Sequence, residues 1–212
     1  MKRIIISTLA LILILSSCSV GPLFGAGSKE YMGEEVTGEI VRDSELWREL
    51  EDMLCMLTVN SAKLPEFDSM NDSVVLCHDS LLNYMFGRNY NKYSGNPDMI
   101  EKVEKYYPGY DVICAIPQSD FESEMYRCFG GSVKITHMSS TLFRYLEAAE
   151  VYVPVTAPIS GEVDFVLEKA EETENSYRLT FTCSSGEASF EYCAVLVKRD
   201  DGTFYFDAVL RK

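Results

Sequence analysis

From Glu162 to the end of the chain, apolar residues recur at every second position. That period turns alternate side chains to opposite faces of an extended backbone, so it commits this part of the chain to β-strands with one face buried. Val163, Phe165 and Leu167 alternate with Asp164 and Glu168. After the polar turn 171–175, Tyr177, Leu179, Phe181 and Cys183 alternate with Arg178, Thr180 and Thr182. Ser184-Ser185-Gly186-Glu187 reverses the chain into Phe190–Val197, which is apolar on both faces and so reads as a central strand. Arg199-Asp200-Asp201-Gly202 is a hairpin signal, and Phe204, Phe206, Ala208 and Leu210 form the last strand. The expected product is an antiparallel meander of four strands.

The chain before it carries helical spacing instead. Asp43 or Ser44 caps a helix whose stripe is Leu46, Leu50, Met53, Leu54 and Leu57, ending near Thr58. Asp72 is the candidate cap of a second, with Val74, Val75, His78, Leu81, Leu82, Met85 and Phe86 on one side and Gly87 as a left-handed C-terminal cap. His78 falls on the apolar stripe, where a core histidine with a backbone partner is expected. Residues 88–96 read as a polar, aromatic loop, and Asn96-Pro97 as the start of a short third helix stopped by Pro108-Gly109. Val112–Ile116 has the composition of a short strand. Ser119 and Glu122 have the spacing of a capping box for a fourth helix, which ends at Gly130-Gly131. Val133–His137 alternates like a strand, Leu142, Tyr145, Leu146 and Ala149 have helical spacing, and Val151–Val155 is strand-like until Pro158 and Gly161. Helices first and sheet last is the α+β class, with the helices on one sheet face.

The N-terminus gives an address. Lys2 and Arg3 precede twelve almost wholly apolar residues, Ile4–Leu15, a run too short to span a bilayer and of the length of a signal-peptide core. It ends in Leu15-Ser16-Ser17-Cys18, which resembles the lipobox of bacterial lipoproteins. The resemblance implies a diacylglyceryl thioether on Cys18 and cleavage before it. Residues 1–17 would then be a signal peptide, residues 18–40 a lipidated, glycine-rich flexible tether, and residues 41–212 a single domain on the extracytoplasmic face of the cell membrane. Two acyl chains at ~0.8 kcal/mol per buried methylene anchor a protein durably, where one chain does so marginally. The succession Ile116-Pro117, Phe121, Phe129-Gly130, Tyr152-Val153-Pro154 and a meander is similar to lipoproteins of unknown function from Gram-positive anaerobes, and helices before a long antiparallel sheet resemble the NTF2-like and cystatin-like architectures.

Composition narrows the function classes. Residues 1–17 hold two of the 19 basic residues and none of the 33 acidic ones, so the remainder carries −16. No basic face for nucleic acid is visible in the sequence, and anionic headgroups would repel so acidic a domain, which leaves Cys18 as the expected membrane contact. Setting Cys18 aside leaves Cys55, Cys77, Cys114, Cys128, Cys183 and Cys193, open to disulfides or to buried thiols.

Motifs for catalysis are missing. The sequence contains no G-x-S-x-G, no H-E-x-x-H and no paired C-x-x-C, and Gly25–Lys29 has no strand before it to make a phosphate loop. Cys77-His78 is not spaced for zinc, and Asp68, Asn71 and Asp72 fit no EF-hand register. No cofactor and no metal is expected, and a non-catalytic binding domain is favoured over an enzyme. A carboxylate-based envelope hydrolase and a purely structural envelope component are the alternatives. The candidate binding residues are Tyr90, Tyr93, Tyr106, Tyr107 and Tyr110, in an aromatic stretch interleaved with Asn83, Asn89, Asn91 and Asn96. Exposed rings of this kind stack on sugars or anchor an envelope protein. For the address, Cys18→Ala is expected to release the protein from the membrane fraction or to leave an uncleaved precursor. Unchanged retention with normal processing contradicts the lipobox assignment.

Overall fold

A computed structural model describes residues 32–58, 64, 66, 67, 70–131, 133–155 and 163–212. Cys18, its lipobox and the first part of the expected tether lie outside these residues. So do most of the loop after the first helix and the Pro158–Gly161 break.

The chain is α+β. The meander is present as β5 (Asp164–Thr173), β6 (Ser176–Ser185), β7 (Ala188–Lys198) and β8 (Phe204–Arg211), each antiparallel to the next. β7 has six consecutive buried residues, Tyr192–Val197, as its two-sided apolar run requires. A fifth strand, β1 (Val36–Glu39), extends the sheet to the order β1-β5-β6-β7-β8. This corrects the expected tether boundary at residue 40. Glu34 accepts hydrogen bonds from Thr173 Oγ1, from Asn175 Nδ2 at 2.7 Å and from Ser176 Oγ at 3.2 Å, while Arg178 donates to the Met32 and Glu34 carbonyls. The Val36–Glu39 sequence has no alternation of its own, so only these partners reveal it as a strand.

One face of the sheet is covered by helices. In α1 (Glu45–Thr58), Ser44 Oγ accepts from Trp47 N–H at 3.1 Å and sets the N-terminus. Leu50, Met53, Leu54 and Leu57 then face the core. The second helix, α2, spans Met70–Arg88. It starts two residues before the expected cap Asp72 and runs through Gly87, which is not in the left-handed region. Arg88 holds that last turn in place by bonding Asp52 and Tyr84. The expected loop 88–96 contains a short helix, α3 (Tyr90–Tyr93). In α4 (Pro97–Tyr106), Asn96 caps Asp98 and Met99 N–H groups at 3.1 and 3.4 Å, and Gly109 closes the end at φ 78°. α5 (Gln118–Phe129) lays Phe121, Met125, Cys128 and Phe129 against the sheet.

The difficult middle of the chain is a second, three-stranded sheet, ordered β2 (Ile116–Pro117), β4 (Val151–Pro154), β3 (Phe143–Leu146). Three expectations change here. Val133–His137 is irregular chain, and the expected helix around Tyr145 is β3 followed by a 3₁₀ turn, Glu147–Ala149. Only Ile116–Pro117 of the 112–117 region is a strand. The four-residue strand is too short for its spacing to separate helix from strand.

Among the described residues all six cysteines are free thiols, and five of them are buried. Burial raises the Cys128 and Cys183 thiols to about 12, so they pack as small apolar groups. At Glu34, burial pushes the carboxyl up, but hydrogen bonds from Thr173, Asn175 and Ser176 outweigh it and leave the group below its ordinary value. A depressed carboxylate stabilises the fold above the unfolded value, ~4.3, and loses that contribution as pH falls. Glu34→Gln is therefore expected to be less stable than the parent at neutral pH, with the gap closing in acid. Urea unfolding across the two ranges checks this, and a constant gap contradicts it.

Candidate functional site

The small sheet is a partition. Alternation places Phe143, Tyr145 and Tyr152 on the side of the main core. Leu146, Val151 and Val153 face a separate cluster with Val103, Ala115 and Ala149. β4 is thus buried on both faces: Val151, Tyr152 and Val153 are each 2 % exposed or less. Two candidate sites adjoin this sheet.

β3 and β4 form one wall of a cleft of about 670 Å³ that also takes in Phe86 and Cys114 of the main core. Arg144, Val153, Pro154 and Val155 supply this wall, and Tyr110–Cys114 with Phe86 and Tyr90 the other. That volume falls within the range of small-molecule and peptide pockets. Ile113, Val155 and Tyr90 are 69 %, 49 % and 43 % exposed, so the rim is apolar and in contact with water. Asp111 and Arg144 are the charged members. Among the described residues they form no ion pair with each other or with another side chain.

The five sequence-selected tyrosines separate. Tyr90 and Tyr110 line the cleft. Tyr93 is buried at 3 % exposure, its phenol raised by burial to about 12, and is a core residue rather than a binding one. Tyr106 is exposed, away from the cleft, and Tyr107 accepts a hydrogen bond from Ala148 N–H at 3.2 Å, which ties α4 to the 3₁₀ turn. The interleaved asparagines do not line the cleft: Asn83 is buried and Asn96 is spent on its cap.

On the main-core side, both histidines of the chain meet one tyrosine. Tyr152 Oη lies 2.8 Å from His137 Nδ1 and 3.4 Å from His78 Nε2. His137 Nε2 lies 3.0 Å from Glu122 Oε1, and His78 Nδ1 lies 3.5 Å from Asp79 Oδ1. Gln118 Nε2 donates to the same Glu122 oxygen at 2.8 Å, and Tyr145 Oη donates to Gln118 Oε1. Glu122 therefore serves this chain rather than a capping box; the N-cap residue is Pro117 and makes no side-chain cap. His78 is a core histidine, as its stripe predicts, but its partners are side chains. Phe121 sits edge-on to His78 at 5.0 Å, and Tyr145 stacks on His137 at 5.2 Å and 25°. Burial pushes the Tyr152 phenol well up, with Tyr145 and Glu122 adding to the rise. At Asp79, burial acts upward but the neighbouring His78 and Ser140 prevail and lower it.

Sequence reasoning missed this cluster because its members lie far apart: 74 residues separate His78 from Tyr152. The usable signal was that the chain has only two histidines.

Among the described residues no three His, Cys, Asp or Glu side chains converge as metal ligands, and no helix is long and apolar enough to cross a membrane. No family model, curated protein or solved structure matches the chain.

Cys114 lies at the cleft wall at 2 % exposure, with burial raising its thiol to about 11. Iodoacetamide at neutral pH is expected to leave Cys114 unmodified in the native chain and to modify it in urea, read by mass spectrometry. Rapid native labelling of Cys114 means that the cleft opens more deeply than this.

Proposed function

We propose that the chain is a lipid-anchored envelope protein whose α+β domain binds an extended, mainly apolar peptide segment of another envelope protein in the Tyr90–Tyr110 cleft. The observation that carries this is the water-exposed apolar rim, Ile113, Val155 and Tyr90, around a concave surface of about 670 Å³. Apolar side chains grouped at a cavity gain from being covered, at roughly 25 cal/mol per Å². The lining favours a peptide over a glycan: sugars need a set of polar donors and acceptors, and the asparagines that would supply them lie elsewhere. Arg144 and Asp111 supply one charge of each sign, suited to the carboxylate and the amide or ammonium groups of a peptide. Membrane attachment through Cys18 rests on the lipobox, and the high acidity of the domain supports a partner met at the membrane rather than the lipid itself.

A carboxylate-based hydrolase has less support. General acid–base work on a glycosidic bond needs two carboxyl groups facing one bond, and this cleft has Asp111 as its single carboxylate.

Panning a random peptide display library on the immobilised full chain tests the reading. Enriched peptides are expected to be rich in apolar and aromatic residues with an acidic group. Tyr110→Ala is expected to weaken their binding by about tenfold or more. Enrichment that is indifferent to Tyr110→Ala and Val155→Asp contradicts it.

A further inference from the structure

The backbone ladder that joins β2 to β4 stops one step short, and the cleft lies where it stops. Gln118 N–H donates to the Glu150 carbonyl at 2.9 Å, and Ile116 pairs with Tyr152. Bonded pairs recur at every second residue of an antiparallel ladder, so the next would be Cys114 with Pro154. Pro154 has no N–H to donate. The other bond of that pair, from Cys114 N–H to the Pro154 carbonyl, is not made either among the described residues. Cys114 and Pro154 instead line the cleft of about 670 Å³.

The far edge of the same segment fixes which way the open groups point. Gly95 N–H donates to the Ile113 carbonyl at 2.9 Å, and Ala115 N–H to the Tyr93 carbonyl at 3.2 Å. These two bonds flank the Ser94–Cys114 bridge, so Cys114 turns its own N–H and C=O away from Ser94 and toward β4. On β4, Val155 N–H donates to the Leu142 carbonyl at 2.8 Å, and Phe143 lies opposite Pro154. The Pro154 carbonyl is thereby turned away from β3 and toward Cys114. Among the described residues none of the four N–H groups of Asp111–Cys114 donates a hydrogen bond. Cys114 lines the cleft yet is 2 % exposed, so it lies at the floor, where water reaches its backbone little. Buried backbone groups are almost always paired. One donor and two acceptors left open around this floor are what a second backbone would satisfy.

We propose that an extended peptide strand enters between Cys114 and Pro154 and completes the interrupted ladder. It pairs with Cys114 through one residue's N–H and C=O, and donates another N–H to the Pro154 carbonyl. This rests on the reading of the cleft as a peptide site and specifies what is recognised there: the peptide backbone in strand form, with side chains second. Successive residues of a strand present opposite edges, so the residue that pairs with Cys114 is adjacent to the one that donates to Pro154. Neither can be proline. A helix uses its backbone groups internally and a sugar has no such row, so an extended peptide is the occupant that fits.

Charge on the cleft walls matches such a guest. Arg144 stands on the β3–β4 wall and Asp111 on the other, and among the described residues neither is ion-paired. Arg144 suits a carboxylate of the guest, and Asp111 an ammonium or an amide. Ile113 and Val155, 69 % and 49 % exposed, supply apolar cover for its side chains. A proline on a strand edge also guards against unwanted pairing. That role accounts for Pro154 alone. It gives no reason for a buried donor and acceptor on Cys114 to face the same gap.

The test takes the tightest peptide recovered by display panning on the full chain whose binding is lost with Tyr110→Ala. The peptide is remade with each backbone amide in turn replaced by an ester, which removes one N–H and keeps the extended shape. Two adjacent positions are expected to lose about tenfold or more in affinity, and the remaining positions to tolerate the change. In the ¹⁵N-labelled chain the Cys114 amide proton is expected to move downfield on binding, as a newly formed hydrogen bond requires. The Ala115 amide, already donated to Tyr93, is expected to stay in place. Indifference to every ester, or a Cys114 amide that does not move, overturns strand pairing and leaves the peptide reading standing, with the guest held by side chains. Recovery of no Tyr110-dependent peptide overturns both.

Discussion

The hydroxyl of Tyr152 must be satisfied inside the core, and the arrangement of the middle of the chain follows from that. A buried hydroxyl without a partner costs on the order of 1–3 kcal/mol. Tyr152 is fully buried, and its two partners come from different parts of the chain: His78 from α2 and His137 from the irregular segment after α5. His137 in turn draws in Glu122 of α5. One polar atom on β4 thereby sets the relative positions of two helices and a segment that has no regular backbone bonds of its own. Phe121 and Tyr145 close apolar surface around it. A low-dielectric surround strengthens each of these bonds and raises the cost of leaving any one unmade.

The same strand reaches both candidate sites, through Tyr152 at one and Val153 at the other. Alternation on β4 sends Tyr152 into the main core and Val151 and Val153 to the other face. The partition is three short strands thick in the plane of the sheet and one residue thick across it. Packed groups at this separation have few ways to move independently.

Much of the fold was legible where a period persisted. The C-terminal meander, α1, α4 and α5 follow from alternation or from stripes long enough to fix a period, and caps such as Ser44 and Asn96 are local chemistry. What was not legible is held by distant partners. β1 is a strand because β5 and Glu34's contacts make it one, and Gly87 stays helical because Arg88 is anchored beyond it. At the site, Tyr90 and Tyr110 were visible as aromatics in a polar stretch. Tyr93 looked identical and is buried, since exposure depends on which face of a four-residue helix meets the core. Glu122 was misread because its spacing from Ser119 fits a capping box, while its actual partners are Gln118 and His137, the latter fifteen residues away.

The account stands on β4 being a stable element joined to the main core through Tyr152 rather than a flap over the cleft. Native-state amide hydrogen exchange measures this most directly. The account predicts that the hydrogen-bonded amides of β4 exchange as slowly as those at the centre of β6 and β7, by opening of the whole domain. Fast exchange of β4 beside a fully protected β6 and β7 would contradict it, because the small sheet would then open on its own.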